Sequence, residues 1–406
     1  MKIALLREEK VPVDKRVPLS PQHCVDIMNQ YPGTVIVAQP SEVRAFKDSE
    51  YIALGIQLQE DLSDCDVLMG VKEVPKQNLI PGKTYVFFSH THKMQPYNRA
   101  LLQEAVKRGV KLVDYELITD ASHKRLIGFG RYAGIVGTYN AFLAWGKKTN
   151  TYNLKPAHLC ADQHEMESYL KEVILDPNFR VAYTGGGRVG GGAQEVLHKL
   201  GIRQVFPTEY LATKSFGEPV FTQLNVEDYN ERIDGGAFIR RDFFNNPVGY
   251  RSCFMKYAAI TDLYIPCHFW DNRSPYIFTR EDAKKPEFKI KVVADISCDI
   301  DCAVASTLRA STIADPLYGY LPLEEKLGDF MDPMAIGVMA VDNLPCELPK
   351  DASVDFGQEL QKSVIPYLLG EDPDEIIERA TITEKGVLKP AFAYLQDFID
   401  EKTSVA

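Results

Sequence analysis

Apolar residues in the first third of the chain come in short runs, each closed by polar or charged positions. KIALL, TVIVA, DVLMGVK, TYVFFSH and VKLVDYE are such runs, and none alternates strictly between apolar and polar. Runs of this type predict short buried strands. Helical spacing fits between several of them. Ser20-Pro21 reads as an N-cap followed by proline at the first helical position, and a second helix is predicted from about Pro96 to Arg108, stopped by Gly109. This alternation predicts an α/β domain with a mostly parallel sheet.

A long helix is predicted from about Gly130 to Lys148, with Ala133, Gly134 and Gly137 implying close packing of its first turns. The stretch from about Thr149 to Pro177 is more polar and reads as loops with a helix near Glu165 to Ile174. A second α/β pattern opens with FRVAYTGGGRVGGGAQEVLHKLG and continues in strands at LYIPCHF and KVVADIS. The region from about Thr312 to Asp332 reads as loop. AIGVMAV, a helix after Asp351 and a last helix from about Pro390 to Lys402 close the chain.

TGGGRVGGGA is the clearest chemical signal. Gly185, Gly187 and Gly190 satisfy G-x-G-x-x-G between an apolar run and a helical pattern. Glycines there permit a tight turn and bring backbone N–H groups close to a pyrophosphate, while the helix start adds its positive dipole end. The loop Gly185–Gly190, with Arg188 and Val189 inside it, is therefore predicted to bind a dinucleotide. An acid about 20 residues further on would receive a ribose hydroxyl. Glu209 lies near that distance, after the possible strand QVF; NAD and NADP both stay open.

Two other runs end in groups that carry protons. Lys72 closes VLMGVK and His90 closes VFFSH. In a doubly wound sheet, strand carboxyl ends face the ligand crevice, so both side chains would leave neighbouring strands at one edge and meet across a substrate. His92 lies two residues on. It would share a face with His90 if the strand continued, but no third ligand has a convincing spacing, so no metal is predicted and His92 reads as a rim residue. Arg16, in RVPLSP, and Arg125, in KRLIGFG, each offer a planar fork suited to a carboxylate.

Length and composition bound these readings. The chain has 406 residues, 45% of them hydrophobic and 25% charged, which predicts a globular protein of two or three domains. A formal net charge of -10 argues against a nucleic-acid or anionic-membrane binder. The eight cysteines are scattered without a CxxC pair, so neither a disulfide scaffold nor a structural zinc site is predicted. MKIALLREEK lacks the apolar core of a signal peptide, and no run approaches the ~20 residues needed to span a bilayer. A cytoplasmic protein with reduced thiols is the expectation.

Taken together, the motifs resemble the lysine-forming saccharopine dehydrogenases and lysine-ketoglutarate reductase domains, within the alanine dehydrogenase and transhydrogenase superfamily. RVPLSP, GVKEVP, FFSHTHKMQ, LVDYELI, FGRYAGIVG, VADISCD and VDNLPCELPKDAS follow in the family's order, nearly end to end. The resemblance implies an α/β fold of two Rossmann-like domains with parallel sheets. A dinucleotide-binding domain, 131–339, would be inserted into a discontinuous substrate domain, 1–130 plus 340–406, with substrate in the cleft. By the same resemblance, Lys72 and His90 fall on the acid–base pair, Arg16 and Arg125 on carboxylate-binding positions, and Lys93, Glu73 and Glu116 on further substrate-site positions. Asp299 falls on a cofactor-site position. Val189 stands where the fungal enzymes carry a cysteine, and His92 replaces an apolar or aromatic residue.

The implied reaction oxidises saccharopine with NAD or NADP and water to lysine and 2-oxoglutarate. The implied partners are small amino acids and 2-oxo acids. Alanine dehydrogenase chemistry, on pyruvate and ammonia, uses the same lysine–histidine pair and stays open, as does another amine partner such as ornithine. A non-catalytic nucleotide-binding protein on the same fold is a further alternative.

Overall fold

A computed structural model describes residues 1–401. In chain order its strands are β1 (Lys2–Leu5), β2 (Val35–Ala38), β3 (Gln57–Leu58), β4 (Val67–Met69), β5 (Thr84–Phe87), β6 (Lys111–Asp114), β7 (Arg180–Thr184), β8 (Arg203–Gln204) and β9 (Val220–Leu224). They continue as β10 (Asn230–Arg232), β11 (Tyr250–Ser252), β12 (Leu263–Pro266), β13 (Val292–Ala294), β14 (Leu317–Leu321), β15 (Lys326–Gly328), β16 (Ile336–Met339), β17 (Thr381–Glu384) and β18 (Val387–Leu388). The chain divides into two compact units, one of Met1–Phe129 with the residues from Pro349 onward, the other of Gly130–Leu348. The second junction thus falls at Leu348/Pro349, past the 339/340 boundary expected from the sequence. The 3-10 turn Leu344–Glu347 packs on the helix Gly130–Thr149 and stays with the second unit.

The first unit holds an eight-stranded sheet in the order β18-β17-β6-β5-β4-β1-β2-β3. Strands β1 to β6 pair in parallel. Successive side chains point to opposite faces, and here both faces are buried. Ile3, Leu5, Val67, Met69, Val86 and Val113 join one core, covered by Cys24 and Ile27 of the helix Pro21–Gln30 and by Phe356 and Leu360 of the helix Pro349–Ser363. Ala4, Leu68, Tyr85, Phe87 and Leu112 join the other, under Leu101, Leu102 and Phe398. Two-sided burial is why these strands read as continuous apolar runs. It also returns the C-terminal segment to the first unit, since the sheet faces must be covered at both ends of the chain.

The second unit holds another eight-stranded sheet, β15-β14-β16-β13-β12-β7-β9-β8. Its centre is parallel, and β10–β11 form a separate antiparallel hairpin. The region Thr312–Asp332, expected as loop, contains β14 and β15, an antiparallel pair added at the sheet edge through β14 and β16. Glycines in LYGYL and KLG weaken the local strand signal, and long-range pairing supplies it. The antiparallel pair β17–β18 is a further element that no apolar run announces. Lys385 and Gly386 between them both have positive φ, the geometry of a two-residue hairpin turn. The expected helix from Pro390 is a 3-10 segment, Pro390–Leu395, followed by Gln396–Ile399; its expected end at Lys402 lies outside the described residues. Among the described residues no helix is long and apolar enough to cross a membrane.

Candidate active site and dinucleotide loop

In the first sheet the chain leaves β1 for β2 on one side and later reaches β4 on the other. The carboxyl ends of β1 and β4 therefore flank a topological switch point, where ligands bind in open α/β sheets. Four segments leave that edge from neighbouring parallel strands. They carry Glu8 to Arg16 after β1, Lys72 and Glu73 after β4, Ser89 to Lys93 after β5, and Glu116 after β6.

The strands end earlier than the apolar runs suggest. β4 stops at Met69 and β5 at Phe87, so Lys72 and His90 stand in loops just past the strand ends. His90 adopts a left-handed backbone, φ 53°, and Thr91–Lys93 form a 3-10 turn. His92 thus does not share a strand face with His90, because there is no strand to share. Asp114, fully buried at the end of β6, stabilises this bend. Its Oδ2 accepts the His90 N–H at 2.9 Å, the Ser89 N–H at 3.0 Å and the Ser89 hydroxyl at 2.6 Å. Holding a histidine at positive φ costs on the order of 1 kcal/mol, which these charge-assisted bonds offset.

Glu73 joins two of the segments to His90. Its Oε1 lies 2.8 Å from His90 Nδ1, and its Oε2 accepts from Lys10 Nζ at 2.7 Å. Burial alone would raise Glu73, but the bonds to His90 and Lys10 hold it at about 2. Lys72 is half-buried. Burial first, then the Arg16 cation, lower its ammonium below the ordinary lysine range, against Asp14 and Glu73. This is the physical requirement for a lysine base.

Arg16 is buried, and its fork points at Asp14: Nε donates to Oδ1 at 3.0 Å and Nη2 to Oδ2 at 2.6 Å. Burial would raise Asp14, yet Arg16 outweighs it and holds that carboxyl well below the usual range. The guanidinium also stacks 4.2 Å from the Phe129 ring. Glu116 gathers the remaining cations, with Lys93 Nζ at 2.8 Å and Arg125 Nη1 at 3.5 Å. Arg125 lies over Phe88, whose ring stacks with His90. His92, expected at the rim, is mostly buried, 3.6 Å from Asp114 Oδ2 and 3.7 Å from Glu116 Oε2. Among the described residues no group of three or more His, Cys, Asp or Glu side chains is arranged to hold a metal ion.

The glycine loop lies at the corresponding switch point of the second sheet, between β7 and the helix Arg188–Lys199. Its geometry fits a dinucleotide. Gly185 has φ 101°, and a Cβ there would sit 2.6 Å from the Cys267 carbonyl oxygen. A Cβ on Gly190 would collide with the Gly185 carbonyl. A Cβ on Gly187 would meet nothing within 4 Å, and this residue is the N-cap of the helix, with no side chain to cap it. Turn, close packing and an open approach to a helix N-terminus are the three properties a pyrophosphate loop needs. Val189 faces the other way, its Cγ2 3.4 Å from where a Gly130 Cβ would be; it packs the two helices together. Arg188 starts the helix. Asp299 lies on the loop after β13, half-buried, and burial raises it above the ordinary range.

Glu209 is not at a strand end. It sits on the helix Pro207–Ala212, paired with Arg203 at 3.1 Å, both exposed. The spacing rule assumes that the next strand in sequence is the next in space. Here β8 is the sheet edge, and β9 lies beside β7. The carboxyl end of β9 brings Gln223 and Asn225 to the loop, 3.0 Å and 3.6 Å from a Gly186 Cβ position. No motif announces these two, nor Glu8, Lys10, Asp14 and Asp114. Their common signal is position: each lies at the carboxyl end of a parallel strand or in the segment that follows it.

Two Rossmann-like sheets, one carrying a glycine loop and the other a cluster of proton-handling groups at its switch edge, define the class. Residues 5–136 match the alanine dehydrogenase/PNT N-terminal domain. The chain is 30% identical over 453 residues to the mitochondrial α-aminoadipic semialdehyde synthase of Mus musculus, covering 99% of this chain and 48% of that protein, about half its length. It is 24% identical over 392 residues to the Neurospora crassa lysine-forming, NAD(+) saccharopine dehydrogenase, covering 89% and 90%. An L-alanine dehydrogenase structure shares the fold, with a TM-score of 0.63 at 16% identity, covering 99% of this chain and 100% of that one. The first third of the chain thus resembles the alanine dehydrogenase/PNT N-terminal domain, and nearly its whole length is similar to an α-aminoadipic semialdehyde synthase and a saccharopine dehydrogenase.

Proposed function

We propose that the chain is an NAD(P)-dependent oxidoreductase acting on a secondary amine, catalysing saccharopine + NAD(P)+ + H2O = L-lysine + 2-oxoglutarate + NAD(P)H + H+. The observation that carries this reading is the Lys10–Glu73–His90 chain of contacts beside a lysine whose ammonium is destabilised.

The secondary amine must be neutral before its carbon can lose hydride, because an ammonium has no lone pair to release. Lys72, with its lowered proton affinity, takes that proton. A bound nicotinamide dinucleotide would supply the hydride acceptor; the loop Gly185–Gly190, with Arg188, Gln223 and Asn225 alongside, would hold its pyrophosphate end. His90 then activates water for attack on the substrate imine and returns protons as lysine leaves. Glu73 orients the His90 ring through Nδ1, leaving Nε2 for the substrate side. Arg125 and Lys93, gathered by Glu116, meet substrate carboxylates. Arg16, paired with Asp14, contributes its charge to Lys72 and is the second arginine assigned to a substrate carboxylate.

A spectrophotometric screen tests this, pairing NADH and NADPH with lysine plus 2-oxoglutarate, ornithine plus 2-oxoglutarate, and ammonia plus pyruvate. Turnover with lysine and 2-oxoglutarate is expected. Lys72→Met and His90→Ala each lower it by roughly 10²-fold or more, the usual scale for acid–base groups. Oxidation of NADH only with ammonia and pyruvate would replace the reading with alanine dehydrogenase. Cofactor binding without turnover on any pair would make the protein a nucleotide binder.

A further inference from the structure

Glu8 has no role in the chemistry above, yet it occupies the switch point itself. It follows β1 and reaches across to the segment that follows β4. Its Oε1 accepts the Val71 N–H at 2.6 Å and its Oε2 the Lys72 N–H at 2.9 Å. Both oxygens are thus spent on consecutive amides of the strand exit that bears the proposed base. Gly70 leaves room for this, since a Cβ there would sit 3.4 Å from Glu8 Oε1. The same exit is tied to β5, with Phe88 N–H donating to the Val71 carbonyl at 3.0 Å.

We propose that Glu8 is a positioning residue for Lys72, its carboxylate gripping the Val71 and Lys72 amides so that the lysine side chain leaves the sheet edge in one fixed direction. The proposal rests on the reading of Lys72 as the base. A strand exit past Met69 has no further ladder partner for these two amides. Without an acceptor the loop could turn, and a displacement of about 1 Å at a reacting group can cost on the order of 10²-fold in rate.

Glu8 also carries charge into the cluster. Burial pushes it up to about 7, against the two amide bonds, with Asp14 raising it and Arg16 lowering it. The groups facing it are Asp14 and Arg16 from its own loop, the Lys72 segment after β4, and the Tyr115 hydroxyl after β6, which Glu8 raises further. Glu9 and Lys10, its neighbours in sequence, are engaged elsewhere, with Arg7 and Asn78 and with Glu73. A negative charge held at the Lys72 amide favours an ammonium on the same residue by simple electrostatics. Removing it in Glu8→Gln is therefore expected to move the limb of the pH–rate profile that reports this base to lower pH.

The test uses the full chain with Glu8→Gln and Glu8→Asp, and measures two things. The first is hydrogen–deuterium exchange of the peptide spanning residues 70–73, with the β2 peptide as fold control. The second is kcat and KM against pH for the amine–oxo acid pair that the wild type turns over. For Glu8→Gln the expected result is exchange at Val71 and Lys72 faster by about 10-fold, β2 unchanged, kcat down roughly 10- to 100-fold with KM within about twofold, and the basic group's limb at lower pH. Glu8→Asp, which keeps the charge on a shorter arm, is expected to keep the wild-type limb at reduced kcat. Unchanged exchange at residues 70–73 in Glu8→Gln would overturn the proposal. So would acceleration spread equally over β2, or an unmoved limb. If the wild type turns over no pair, the function fails on its own, and the exchange experiment alone decides the grip.

Discussion

Glu73 Oε1 and His90 Nδ1 lie 2.8 Å apart, although they stand 17 positions apart in the chain with a whole strand between them. One carboxylate, next in sequence to Lys72, thereby sets the orientation of the imidazole on the neighbouring strand exit. Substituting Glu73→Gln keeps the shape and removes the charge. We expect kcat to fall roughly 10-fold or more with KM changed much less, because the bond orients a proton-transfer group rather than binding substrate. Steady-state kinetics of the purified variant check this.

The two glycines at the ends of the loop's helix turn are expected to fail differently when changed to alanine. Gly190→Ala forces its Cβ into the Gly185 carbonyl, so the strand–loop–helix junction must shift, and the melting temperature falls. Gly187→Ala meets nothing within 4 Å and has an extended backbone, so stability is retained. Its methyl instead stands where a pyrophosphate approaches, and NADH affinity falls by roughly tenfold or more. Thermal melts and NADH fluorescence titration separate the two effects.

Cofactor preference is expected to follow β9, not the helix that carries Glu209. Glu209→Gln breaks only an exposed pair with Arg203 and leaves NADH and NADPH affinities unchanged. Asn225→Asp places a carboxylate at the end of the strand beside β7 and shifts preference toward NADH by tenfold or more, through repulsion of a 2′-phosphate and attraction of a 2′-hydroxyl. Paired titrations of both variants with both cofactors decide it.

Buried His268 follows β12, with Nδ1 2.7 Å from the Thr184 hydroxyl, and burial holds it at about 4. An unfolded histidine titrates near 6.5. Its folded value is depressed, so between about 4 and 6.5 the unfolded chain binds the extra proton. The stability contribution is complete above about 6.5 and is lost as pH falls toward 4. Urea midpoints measured across this window should fall with acidification in the wild type and fall less in His268→Gln.

The chain's own order of residues determined a good deal. Runs such as TYVFFSH announced buried strands; the structure covers both faces of the sheet, which is why nearly every position in them is apolar. Ser20-Pro21 announced a helix start, since capping depends on residues a turn apart; in the structure Ser20 Oγ accepts the His23 N–H. The glycine spacing announced the loop, and Lys72 and His90 were legible as charges placed at the ends of apolar runs. Each of these signals is local. What only the tertiary structure decided was which segments meet: that β9 and not β8 lies beside β7, that Asp14 occupies the fork of Arg16, that Asp114 holds the bend at His90, and that Glu8 reaches the amides of Val71 and Lys72. Strand order and the convergence of loops are settled by long-range pairing and burial, and spacing along the chain carries no record of either.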